Sequence, residues 1–454
     1  MTAGADVRLP RAVLAAYAAP AFSQALIHGP VGAVIQGIYG THFGLPLASI
    51  AFVLVLSRVF DAVTDPLIGY LSDRFPTRWG RRKPWLVAGS LLAVIACWFL
   101  YVPPGKVSTG SFLFWILLAY LGWTLSEIPY RAWLAELSQD YHERTRIATW
   151  RTFARFAGFM AFYGIPFLPW FETSEFTPET LHVTAILAAV ALPTTALIAA
   201  ACVPCGRVCL STETPSLRAA WPALIGNRPL LLFLATFALG GLSGGCVSGM
   251  MFFFVGGHLG VPGALALLFV LGTPLGALMM PVWTALSRRI GKARTWAIAY
   301  GLAPVFLLLH LLVPAGEAGQ PVLIALSLGI FALSSVGVVV PAAMLADITD
   351  YGRWKFGRDF TATYSSVQTM VEKGVEGFGI ALALGVAGAL GFDPRQGTQE
   401  SSGTIGLLIA FPVLPALLSL ACVPLILRMP IDERAQRAIV ARLARRQPAV
   451  HSPR

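Results

Sequence analysis

Long apolar runs separated by short polar segments dominate the chain. They lie near residues 13–39, 46–72, 84–103, 111–138, 147–170 and 181–205, then near 229–257, 262–286, 295–314, 321–349, 361–391 and 403–428. A helix needs about twenty apolar residues to cross a bilayer core, and each run reaches that length. Within the runs, apolar and polar positions do not alternate as the roughly ten-residue strands of a membrane barrel require. The pattern predicts an all-α membrane protein with about 12 transmembrane helices. The longer runs imply tilt or extension beyond the bilayer.

The spacing divides the chain into an N-terminal six-helix bundle (1–205), a cytoplasmic connector (206–228), a C-terminal six-helix bundle (229–430) and a basic cytoplasmic tail (431–454). An internal echo supports two related halves: LSDRFPTRWGRRKPW (71–85) follows the second run and LSRRIGKARTW (286–296) follows the eighth. This arrangement resembles the major facilitator fold, in which parallel repeats form two bundles that rock about a central site. The first loop resembles that fold's loop signature, with four extra residues from Pro76 to Trp79. Asp73, Arg74, Arg81 and Arg82 in one loop, Arg288 and Arg289 in the other, and Arg58 within the second run are the expected coupling and gating residues.

Composition agrees with the pattern: 56% of residues are apolar, 12% are charged, and mean hydropathy is +0.70. Such a chain cannot cover a water-facing surface with polar groups. The net charge of +11 does not indicate a nucleic-acid partner, because the cations sit in every second loop between apolar runs. That distribution predicts cytoplasmic termini. Arg8 and Arg11 precede a first run too long for a cleaved signal segment, so none is expected. Cys202, Cys205 and Cys209 cluster at one helix end. They are read as small residues in a reducing compartment rather than as a metal or lipidation site. No HExxH, GxSxG or His cluster points to an enzyme, and no repeated filter points to a channel. No cofactor is expected, and no metal beyond a coupling Na⁺ or H⁺.

Ionisable groups at bilayer depth are costly and mark function. In the second run, Arg58, Asp61 and Asp65 share one helical face, Thr64 adds a hydroxyl, and Pro66 frees backbone oxygens. Two carboxylates one turn apart suit a Na⁺ ion or a shared proton; the alternative is an Arg58–Asp ion pair that only joins helices. In the fourth run Thr124, Glu127 and Arg131 share a face, and Arg151 enters from the fifth. A carboxylate facing a guanidinium can grip a polyhydroxylated ligand, with Tyr130, Trp123, Trp133 and Trp150 as nearby aromatic platforms. Glu127 and Arg131, four residues apart, can also simply pair with each other. In the eleventh run Gln368, Thr369 and Lys373 line one stripe, beside Glu372 and Glu376. Gln24 and His28 are the polar groups of the first run; His28 suits either a proton shuttle or a cap beside Pro30.

With RVFDAVTDPLIGYLSDR, RWGRRKPW, SEIPY, ERTRI, WRTFA, ADITDYGRWKFG and YSSVQTMVEKG in view, the chain resembles the glycoside–pentoside–hexuronide:cation symporters over nearly its whole length. The resemblance implies a coupling-cation site at Asp61, Asp65 and Thr124. It also implies an acidic sugar ligand at Glu127, its partner arginine at Arg151, and the family's lysine at Lys373. The chain departs from the galactoside-binding members at two places. Gln24 and Ala25 occupy the neighbourhood of a first-span aspartate, and Arg131 replaces a sugar-stacking tryptophan. The implied activity is Na⁺- or H⁺-coupled symport of a sugar, glycoside or uronide by alternating access. A lysophospholipid or other amphiphile is the alternative cargo. A small-molecule substrate and membrane lipids are the expected partners.

Overall fold

The computed structural model describes residues 8–75, 77–138, 140–205, 217–358, 360–396, 401–431 and 433–446. Cys209 and the first part of the connector, 206–216, lie outside them. The helices are α1 (Arg11–Ala33), α2 (Ile35–Thr41), α3 (Leu47–Arg74), α4 (Lys83–Tyr101), α5 (Thr109–Leu137), α6 (Tyr141–Gly164), α7 (Pro178–Cys202) and α8 (Leu217–Ile225). There follow α9 (Arg228–Phe252), α10 (Ala264–Ile290), α11 (Lys292–Leu309), α12 (Gln320–Ser334), α13 (Val336–Phe356), α14 (Thr361–Ala389), α15 (Ser401–Leu408), α16 (Leu414–Leu427) and α17 (Glu433–Arg446). Among the described residues, nine helical stretches are long and apolar enough to cross a membrane. α1, α6 and α14 occupy the remaining expected runs.

Several expected rods are broken. The first divides at Val34, where φ is −125°, and the tenth at Ser335. The twelfth passes through a widened turn over Ile409–Val413, with Phe411 extended. α6 begins earlier than its apolar run because the Asp140 carboxylate accepts from the Glu143 amide at 2.7 Å and caps the basic segment as a first helical turn.

Helices α1 and α3–α7 pack together, as do α9–α14 and α16. Close approach depends on glycine at a few crossings. Gly89 of α4 lies against the backbone of Gly122 and Ser126 in α5, and Gly379 of α14 lies against that of Leu242 in α9; neither position has room for a Cβ. The two groups of helices meet toward the end where α2 and α9 stop. There the rings of Tyr163 and Phe269 stack at 4.6 Å, Phe252 covers Gly37, and the Gln36 amide donates to the Ser248 carbonyl at 3.1 Å. The contact reaches inward along α3 and α14 to Arg58, which lies directly on Gly377.

At the opposite end, ion pairs close within one group of helices. Arg82 binds Glu136 at 2.8 Å, Asp73 at 2.6 Å and the Ser72 hydroxyl at 2.9 Å; Arg81 binds Asp73 at 3.2 Å. Arg74 stacks on Tyr70, and Arg288 and Arg289 are exposed. Lys292 pairs with Asp347 at 2.6 Å. Of the expected gating charges, Asp73, Arg74, Arg81 and Arg82 contact residues of their own bundle. Both described ends of the chain dock here too: the Leu9 amide donates to Glu143, and the Gln436 amide donates to Asp350.

Candidate substrate and cation sites

On α3, Arg58 contacts Asp61 at 3.3 Å and donates to the Tyr120 hydroxyl of α5, with its guanidinium 4.6 Å from the centre of that ring. The ion pair lies within α3, and it is the bond to Tyr120 that joins α3 to α5. One turn on, the Asp65 carboxylate accepts from the Thr124 hydroxyl at 3.0 Å, which brings two of the expected cation ligands together across α3 and α5. Asp61 and Thr64 are buried on the same face, but the Thr64 hydroxyl donates to the Phe60 carbonyl of its own helix. The carboxylate pair is thus divided: Asp61 faces a guanidinium and Asp65 a hydroxyl.

The second cluster is centred on Glu127, whose side chain is only 3% exposed. Its Oε1 accepts from Arg131 Nε and from Arg151 Nη2, each at 2.5 Å, so both pairings expected for this carboxylate occur together. Glu127 Oε2 and Arg151 Nε are both buried and have no hydrogen-bond partner. A buried acceptor and a buried donor left unsatisfied are expensive, and ligand hydroxyls that reach them relieve that cost. Arg155 is also within electrostatic reach of Glu127, its guanidinium lying 5.6 Å from the Phe159 ring. The immediate charge inventory is three guanidiniums to one carboxylate.

Other expected residues do different work. Tyr130 is fully buried; its hydroxyl donates to the Tyr17 carbonyl, while the Tyr17 hydroxyl donates back to the Tyr130 carbonyl at 3.0 Å. It joins α1 to α5 and supports the Arg151 guanidinium on its face at 4.9 Å. Gln24 is buried and donates to the Ser126 hydroxyl at 3.2 Å. Trp123 stacks on His28, with ring centres 4.7 Å apart. The Thr369 hydroxyl donates to the Ser365 carbonyl of its own helix, and Gln368 is half-buried. The side chain of Lys373 lies outside the described residues.

Arg155 and Tyr120 escaped the sequence reading. Arg155 follows Arg151 by four residues, so the helical spacing that selected Arg151 also selects it. Tyr120 stands in an apolar stretch, where nothing marks its hydroxyl as the partner of a buried arginine. Among the described residues, no cluster of three His, Cys, Asp or Glu side chains has a metal-holding arrangement.

The family model for MFS/sugar transport proteins matches residues 16–433. The chain belongs to that family. It is a multi-pass inner-membrane transporter, not an enzyme. It is similar to the uncharacterized symporter YjmB of Bacillus subtilis, with 24% identity over 87% of each chain. It is also similar to the glucuronide carrier protein homolog of Escherichia coli, with 25% identity over 89% of each. In three dimensions it superposes on a point mutant of the nucleoside transporter NupG with a TM-score of 0.69 at 13% identity, covering 91% of this chain and 99% of that one. At that identity the superposition concerns the fold alone.

Proposed function

We propose that this chain is a cation-coupled symporter of an acidic, polyhydroxylated substrate of the sugar or uronide class. In this reading the chain crosses the membrane about twelve times with both termini cytoplasmic, and its bundles span 1–205 and 229–430. The observation that carries the reading is the buried, unsatisfied pair Glu127 Oε2 and Arg151 Nε. Sugar hydroxyls donate to the first and accept from the second. The surplus of guanidiniums at Arg131, Arg151 and Arg155 favours a carboxylate on the same ligand. Asp65, with the Thr124 hydroxyl, is the coupling-cation site, and Asp61 joins it when Arg58 moves away. With cytoplasmic termini, the state described above is open inward. The test is uptake in proteoliposomes containing the full chain, using labelled glucose, galactose, xylose and glucuronate, with and without imposed Na⁺ or H⁺ gradients. Accumulation of at least one of them, driven by a gradient and lost in Glu127→Gln, is the expected result. Gradient-independent equilibration, or no uptake of any of the four, overturns it.

A further inference from the structure

A cavity of about 400 Å³ lies inside the C-terminal group of helices, between α9, α10, α11 and α12. Small residues hollow it out: Gly240 and Gly244 on α9 and Ala303 on α11, opposite Leu268 and Phe331. Two of its lining residues look across to the other bundle. Glu376 is exposed and lies in electrostatic range of Arg58, Tyr120 and Tyr163, and Phe269 stacks on Tyr163. The cavity therefore communicates with the space between the bundles, beside the cation-site arginine.

Its wall is less polar than its serines suggest. Ser243 donates to the Pro415 carbonyl at 2.8 Å, Ser248 to that of Gly32 at 2.7 Å, Ser334 to that of Phe331 at 3.0 Å, and Ser419 to that of Tyr300 at 3.2 Å. The Ser327 hydroxyl is bonded to the His310 ring at 3.2 Å. With their protons engaged these serines can only accept, so a second sugar placed here would find too few partners for its own hydroxyls, at a cost of several kcal/mol by general estimates of polar burial. An apolar group loses nothing there and gains by leaving water. The volume falls in the usual range of small-molecule pockets, about 300–1,000 Å³.

We propose that this cavity receives the apolar aglycone of a transported glycoside whose sugar is held at Glu127 and Arg151. The inference rests on the sugar-type reading above and specifies the substrate as an aryl or alkyl glycoside. Glu376 marks the polar mouth, and the Gly244 position lines the apolar interior. A side chain at Gly244 projects into open space, since nothing lies within 4 Å of the position its Cβ would take. A leucine there fills the cavity without a clash and suits the helix better than glycine does.

The experiment compares methyl and 2-naphthyl glycosides of glucose, galactose, xylose and glucuronic acid. Binding to the full chain in lipid nanodiscs is measured by titration calorimetry. For whichever sugar binds, the naphthyl form is expected to bind about tenfold or more tightly than the methyl form. In Gly244→Leu that ratio is expected to fall to near one. Equal affinities in the unaltered protein, or an advantage that survives Gly244→Leu, overturns the aglycone cavity while leaving the sugar reading intact. Binding of none of the glycosides overturns the sugar reading and this inference with it. A naphthyl advantage cancelled by competing lysophosphatidylcholine, with no methyl glycoside binding, assigns the cavity to a lipid chain and overturns the inference.

Discussion

The hydroxyl of Ser248 donates to the carbonyl of Gly32 at 2.7 Å, joining α9 to the broken end of α1. The Gln36 amide returns the contact by donating to the Ser248 carbonyl, while its own Oε1 is buried without a partner. These bonds cross between the bundles at the end that, with the proposed cytoplasmic termini, must part for the outward-open state.

Ser248→Ala is expected to loosen that end. A neutral hydrogen bond contributes about 0.5–1.5 kcal/mol, so the outward-open fraction should rise roughly two- to tenfold. Spin labels at His42 and Gly256, which line one cavity at this end, report the distance across it. A distance distribution identical to that of the unaltered protein refutes the latch.

Glu127→Gln keeps the shape of the side chain and removes the counter-charge of Arg131 and Arg151. Hydrogen bonds to charged groups are worth about 1.5–3 kcal/mol, so substrate affinity should fall roughly tenfold or more. Calorimetry gives the affinity, and a thermal melt on the same sample separates lost binding from lost folding. Unchanged affinity with a lowered melting temperature reduces Glu127 to a structural role.

Asp65→Cys should abolish accumulation against a gradient while leaving the protein folded. Thr124→Ala removes only the hydroxyl at 3.0 Å from that carboxylate and should weaken the apparent cation affinity by a few-fold. Both are read from uptake as a function of external Na⁺ at fixed pH, and of pH at fixed Na⁺. Accumulation that persists in Asp65→Cys places the coupling ion elsewhere.

Arg131→Trp and Arg155→Ala each remove one positive charge near Glu127. A uronide should compete better than its neutral parent sugar in the unaltered protein, and each substitution should narrow that difference. At an effective dielectric near 20, a charge pair at about 4 Å interacts by about 4 kcal/mol, so the change should be several-fold even after solvent screening. Equal competition by acidic and neutral sugars in the unaltered chain removes the basis for an acidic substrate.

The ionisable residues were legible because they are rare in the apolar runs, and a 3.6-residue period maps them onto faces. Arg58 with Asp61, Asp65 with Thr124, and Glu127 with both Arg131 and Arg151 are brought together in the fold. Of the helix breaks, only the one beside Pro30 was legible. Pro66, Pro129 and Pro193 lie inside continuous helices, whereas the chain breaks shortly after Pro30 and around Pro412. Proline frees a carbonyl in each case, and only tertiary contacts decide whether the rod bends there. The cavity behind Glu376 was equally hidden. It is a gap between helices, produced by glycine and alanine positions that read as ordinary packing residues.

The contacts that seal α1 and α2 to α9 are an uncharged amide, a hydroxyl, two carbonyls and aromatic rings. Parting them carries no net charge through the electric field of the membrane. A potential of 100 mV does about 2.3 kcal/mol of work on each elementary charge that crosses it. Among the described contacts between α1, α2 and α9 that work finds no charge to act on, and it falls instead on the bound cation and on the charged side chains around Asp61 and Glu127. Voltage is therefore expected to change how tightly the ion is loaded and how fast the loaded carrier turns. Parting α1 and α2 from α9 should by itself be electrically silent.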